Sequence, residues 1–171
     1  MAFTMKKFYS AFILIIILFA CTQEVKENIP LQQNQSQNQI DSFFCYAKGI
    51  LSNQEKLELQ FDKVDFLFSE KAKEAMIEDG LLEEDEFIPN DIYIRNKDQK
   101  VEELEIDENV KIFMQTLTYD DYGNYHANEE ITINKLIELL SKSTERNYIN
   151  FPFFIKTSNN KITLIKEQYL P

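Results

Sequence analysis

Hydrophobic and polar positions divide the chain into three regimes. From Phe8 to Ala20 nearly every position is apolar, without a break between Ile13 and Leu18. From Gln32 to Gln39 every position is Gln, Asn or Ser. From about Ser42 onward, apolar positions recur with the short periods of strands and helices. The organisation expected is therefore a leader over 1–20, a disordered tether over 21–41 and one folded domain over 42–171.

Within the domain, Phe43–Leu51 and Lys56–Phe68 read as strands. In the second, Leu57, Leu59 and Phe61 alternate with Glu58, Gln60 and Asp62, and Ser52-Asn53-Gln54-Glu55 makes a hairpin turn. Ser69 is placed to cap a helix over Glu70–Asp79 that buries Ala72, Ala75 and Met76, with Gly80 just past its end. An acidic loop closed by Pro89-Asn90 leads to a short strand, Ile92–Arg95. Val101, Leu104, Ile106, Val110, Ile112 and Met114 give further strand, broken by a turn at Asp107-Glu108-Asn109. After a long loop, Tyr119–Glu130, Thr132 caps a second helix with Ile133, Leu136, Ile137 and Leu140 on its buried face. A final hairpin pairs Phe151–Thr157 with Lys161–Gln168 across Ser158-Asn159-Asn160. The order is ββαββαββ. That order predicts an α+β fold, mainly antiparallel, as a curved sheet or small partly open barrel with two short helices.

The leader adds a destination. Lys6 and Lys7 precede the apolar run, whose thirteen residues would span roughly 20 Å as a helix, too short for a bilayer core of about 30 Å. It ends in Leu18-Phe19-Ala20-Cys21, which resembles the lipobox of bacterial lipoproteins. The resemblance implies a lipidated Cys21 as the new N-terminus and localisation at the cell membrane, lipid-anchored, on the extracytoplasmic side. Two or more acyl chains hold stably where one does not. The tether, about twenty residues of flexible coil, would average roughly 25 Å end to end. Cys45 then remains as the single thiol, expected to be buried and inert on its strand.

Charge removes some functions. The chain carries −11, and loss of Lys6 and Lys7 with the leader leaves −13. Residues 78–130 hold 17 acidic against 4 basic side chains. Such a surface repels phosphate, so no nucleic-acid partner is expected. The acidic stretch reads as a solvated face, with a cationic partner or loosely held divalent ions as the functional alternative.

Several segments in one order also carry a resemblance. These are Lys63-Val64-Asp65-Phe66-Leu67, Glu78-Asp79-Gly80, Tyr93-Ile94-Arg95-Asn96, Ile162-Thr163-Leu164-Ile165-Lys166 and Glu167-Gln168-Tyr169-Leu170-Pro171. Together they resemble an uncharacterised domain of secreted proteins and lipoproteins from Gram-positive, Bacillus-like bacteria. Phe66 stands where that domain would carry tryptophan. The resemblance implies the domain limits and no activity.

Candidate chemistry is sparse, and neither an enzyme nor a cofactor is expected. Arg95 and Asn96 follow a short apolar strand; the guanidinium would either form a structural ion pair, with Glu167 as its expected partner, or capture a carboxylate or sulfate-like anion. The one histidine, His126, lies in a loop that reads first as polar chain whose tyrosines cap the barrel rim, with metal binding by His126, Asp120 and Asp121 as the lesser alternative. The function expected is a membrane-anchored, non-enzymatic binding or interaction module with an envelope protein partner. The alternative is a weak divalent-cation or small-ligand binding protein.

Overall fold

The computed structural model describes residues 40–53, 56–141 and 146–170. The leader, Cys21, all but the last two residues of the tether, and Gln54-Glu55 of the first turn lie outside the described residues.

Five long strands close a barrel: β1 (Ile40–Asn53), β2 (Lys56–Phe68), β4 (Val101–Met114), β6 (Pro152–Ser158) and β7 (Lys161–Glu167). The short β3 (Ile92–Arg95) extends β2 beyond the barrel, and β5 (Glu129–Glu130) pairs with the end of β4. Closure depends on two strands that change partner along their length. The first half of β1 pairs with β6, from Ile40 opposite Ser158 to Tyr46 opposite Pro152, and the second half with β2, ending at Asn53 opposite Lys56. A bulge between Ala47 and Gly49 bends the strand where it changes neighbour. Likewise β4 pairs antiparallel to β2 over Val101–Glu105 and then parallel to β7 from Ile106 to Phe113.

The sequence reading needs four corrections. The sheet is a closed barrel rather than a curved or partly open one, and its closing seam, β4 with β7, is parallel. The chain from Gln115 to Phe151, which contains α2 (Ile133–Ser141), leaves and re-enters the barrel at the same end, so β6 runs back along it and β7 returns parallel to β4. The expected turn at Asp107-Glu108-Asn109 is an irregularity inside one continuous strand. There Asp107 Oδ1 accepts the Asn109 N–H at 2.9 Å, so the side chain satisfies a donor that the ladder leaves over. Finally, Ser69 is the first residue of α1 (Ser69–Glu78) rather than its cap, and takes a positive φ of 50° directly after β2.

Other local signals act as read. Gly80 (φ +69°) closes α1, with Leu81 N–H donating to Met76 O at 2.8 Å and Gly80 N–H to Ile77 O at 3.0 Å. Thr132 Oγ1 accepts the Lys135 N–H at 3.3 Å at the start of α2. Asn159 and Asn160, both at positive φ, make the two-residue turn between β6 and β7.

Taken as first to fifth, the barrel strands β1, β2, β4, β6 and β7 run in the order first, second, third, fifth, fourth and back to first, with α2 between the third and fourth. This is the Greek-key connectivity of OB-type barrels. The core holds Leu59, Phe61, Ile112, Met114, Phe153, Ile155, Ile162 and Ile165, with Leu136, Leu139 and Leu140 of α2 packed into it. Cys45 lies in the same core, fully buried, and burial pushes its thiol far above the ordinary range. Val64, Phe66, Ala72, Ala75 and Ile88 are buried apart from that cluster. With α1 packed on β2 and β3, they belong to a wing beside the barrel.

Ile112 has no exposed surface and sits on the parallel seam. Ile112→Ala is therefore expected to lower unfolding free energy by about 3 kcal/mol in urea titration, and a loss below about 1 kcal/mol would contradict this packing.

Candidate functional site

The pair singled out in the sequence, Arg95 and Asn96, turns out to hold the wing together. Arg95 closes β3 with its side chain 15% exposed, and its guanidinium binds Glu78 Oε2 at 2.9 Å and Asp79 Oδ1. Tyr93 O–H donates to Asp79 Oδ2 at 2.9 Å. Two carboxylates at the C-terminal end of α1 oppose the negative end of the helix dipole, and Arg95 supplies the compensating charge. The hydrogen bond from Arg95, chiefly, holds the Asp79 carboxyl below the usual range, and the two carboxylates raise the guanidinium further. The expected Arg95–Glu167 bridge does not form: the fork is filled by α1, and Glu167 is bound elsewhere.

Asn96 donates from Nδ2 to Asp62 Oδ2 at 2.8 Å and accepts the Gln99 N–H at 3.1 Å. Asp62 is 3% exposed, which breaks the alternation expected of β2, and Lys48 Nζ stands 3.8 Å from its Oδ2. Among the described residues, Asp62 Oδ1 has no hydrogen-bond donor.

Asp120, Asp121 and His126 are not brought together as a metal site, and no group of three or more His, Cys, Asp or Glu among the described residues could hold an ion. The reason is local. Asp120 Oδ1 accepts the N–H groups of Tyr122 and Asn124, both at 2.9 Å, and its Oδ2 accepts Asn124 Nδ2 at 3.1 Å. Those bonds, with Asn124 first, hold the Asp120 carboxyl below its ordinary value. Gly123, at φ +85°, donates its N–H back to Asp120 O at 3.0 Å. The His126 ring faces Thr118 Oγ1 at 3.0 Å, and Thr118 donates to Glu129 Oε2 at 2.7 Å. A hydroxyl has one proton to give, so His126 Nδ1 is the donor to Thr118.

These bonds make a rigid hairpin, with Tyr119 and Tyr125 bridged by backbone and their rings edge-on at 6.2 Å. The hairpin forms one wall of an open cleft of about 740 Å³ lined by Thr116, Leu117, Tyr119, Tyr125, Leu139, Arg146 and Tyr148. The Arg146 guanidinium lies 4.6 Å from the Tyr125 ring centroid and 5.3 Å from that of Phe151, and Nη1 donates to Thr116 O at 2.7 Å. Tyr148 is buried, and burial first, then the charge of Glu167, raises its hydroxyl. Beyond Tyr125 is a second cleft of about 440 Å³, bounded by Gln115, Gly123, Asn124, Tyr125, Ala127 and Tyr169.

Thr116 is fixed from below by Glu167, which is fully buried at the end of β7. Its Oε2 accepts the N–H groups of Gln115 at 2.7 Å and Thr116 at 3.1 Å, and Oε1 accepts the Thr116 hydroxyl. With this geometry the clefts offer ring faces, hydroxyls, amides and the Arg146 guanidinium. No protein-family model, curated protein or solved structure matches the chain.

Of the loop tyrosines, Tyr119 and Tyr125 line the 740 Å³ cleft and Tyr122 stands exposed. Arg146, Tyr148 and the Glu167 clamp went unread. One signal for the clamp was present: Glu167 shares the inward phase of β7 with Ile165, so alternation alone puts a carboxylate inside.

Arg95→Ala is expected to lower the melting temperature at neutral pH. Because Asp79 has a depressed folded-state pKa, its contribution is full above the ordinary value of 3.8 and lost as pH falls through the lowered one. The gap between wild type and variant should thus persist down to about pH 4 and narrow below it. Equal melting temperatures at pH 7 would show that the pair contributes nothing.

Proposed function

We propose that the chain is a lipoprotein held to the cell membrane by acyl groups on Cys21, with its barrel displayed on the extracytoplasmic side as a non-enzymatic binding module for an envelope component. Its place is among the uncharacterised domains of secreted proteins and lipoproteins that its motifs resemble. The observation that carries the binding role is the cleft between the Tyr119–Tyr125 hairpin and Arg146–Tyr148, an open aromatic recess on a preorganised rim.

The charge pattern supports a partner other than nucleic acid. OB-type barrels that hold oligonucleotides use the face of their second and third strands, here β2 and β4. That face carries Glu58 opposite Glu105 and Gln60 opposite Glu103, and Glu105 is already bridged to Lys56 at 2.9 Å and Lys161 at 2.6 Å. Connectivity by itself assigns no ligand. What favours the present reading is the aromatic lining of the cleft, Tyr119, Tyr125 and Tyr148.

Anchoring is tested on protein purified from membranes. The N-terminal peptide should begin at Cys21 and carry at least two acyl chains, and Cys21→Ala should take up no clickable palmitate. An unmodified Cys21 with the leader retained would overturn the proposal.

A further inference from the structure

We infer that the rim takes an uncharged oligosaccharide, laid across Tyr125 with sugar rings in the clefts on either side. This rests on the proposed reading of the rim as the binding site and names its ligand class.

The first reason is continuity. Tyr125 lines both the 740 Å³ and the 440 Å³ clefts, so a ligand filling both is an extended chain rather than one compact molecule. The second is surface chemistry. Tyr119 is 68% exposed and Tyr169 48% exposed, one in each cleft. A pyranose presents a flat face of C–H groups and an edge of hydroxyls. Tyrosine rings cover the former, while Gln115, Asn124 and the tyrosine hydroxyls bond the latter. Third, the charged groups described at the rim already serve the fold. Arg146 is bound to Thr116 O and to two rings, Glu167 is buried under Thr116, and Asp120 is closed within its own turn. The exposed charge of the hairpin is acidic, Asp121, and would repel a phosphorylated or polyuronate polymer but not a neutral one. Finally, the hairpin is held by its own hydrogen bonds, so little ordering cost remains when a weakly interacting sugar binds.

The test uses the mature lipoprotein in detergent, titrated with hexamers of glucose and of N-acetylglucosamine, with hexagalacturonate and with decaproline. With no tryptophan in the chain, tyrosine emission reads binding, and loss of the signal in Tyr119→Ala and Tyr169→Ala places it at the clefts, where four of the eight tyrosines lie. At least one neutral hexamer should bind. Its affinity should fall roughly fivefold or more in both Tyr119→Ala and Tyr169→Ala, about one stacked ring's contribution, without loss of melting temperature. Tyr122→Ala, altering a 91% exposed ring that lines neither cleft, should leave binding unchanged. Affinity should change less than about twofold between low and high salt. Binding of neither neutral hexamer, or preference for hexagalacturonate, would overturn the inference. Decaproline binding that depends on Tyr119 and Tyr169 would overturn the sugar and leave the site standing. Equal retention of wild type and both variants on native envelope fragments would remove the site as well.

Discussion

One buried carboxylate organises the end of the barrel that carries the two clefts. Glu167 ends β7 with no exposed surface, and three donors from Gln115 and Thr116 converge on it just past the end of β4. A carboxylate taken out of water is tolerated when donors replace its hydration, and backbone N–H groups at a strand end are donors the ladder has left over. The consequences run outward. Thr116, so fixed, offers its carbonyl to Arg146; Arg146 lies over Tyr125; Tyr125 divides the two clefts.

That arrangement needs β4 and β7 to end side by side, which an antiparallel pair would not provide. The parallel seam brings Phe113 level with Lys166, so Gln115 and Thr116 continue past Glu167 on the same level of the barrel. The seam exists because β4 leaves β2 midway, at the irregularity after Ile106, and because β6 runs back along the barrel so that β7 returns beside β4 in the same direction. The connection through α2 supplies Leu139, Arg146 and Tyr148 to the cleft. Fold and site thus share one cause.

The elements were legible because their signals are local. Alternation placed β2 from Lys56 to Phe68, Thr132 marked the start of α2, and Gly80 the end of α1. What was hidden depends on pairing between distant segments. Nothing near Asp107-Glu108-Asn109 distinguishes a turn from a bulge until β7 is known to lie alongside. Arg95 was noticed for its charge, but its partners, Glu78 and Asp79, follow from α1 folding back over β3, a contact that strand periodicity does not encode. His126 drew attention as the lone histidine; a residue type that is rare in a chain is not thereby a ligand, and here it orders a loop through Thr118. Glu167 was considered as a partner for Arg95, when its own position on the inward face of β7 was the more informative fact.

Hydrogen exchange measured amide by amide addresses the clamp most directly. The N–H groups of Gln115 and Thr116 lie beyond the end of β4, where chain position alone would let them exchange as loop amides do. If Glu167 binds them, they exchange as slowly as Ile112 and Phe113 within the seam, and in Glu167→Leu, which removes both oxygens, they lose that protection while the amides of β6 keep theirs. Exchange of both at the rate of unprotected loop amides in the wild-type protein would contradict the account and leave the rim without its support.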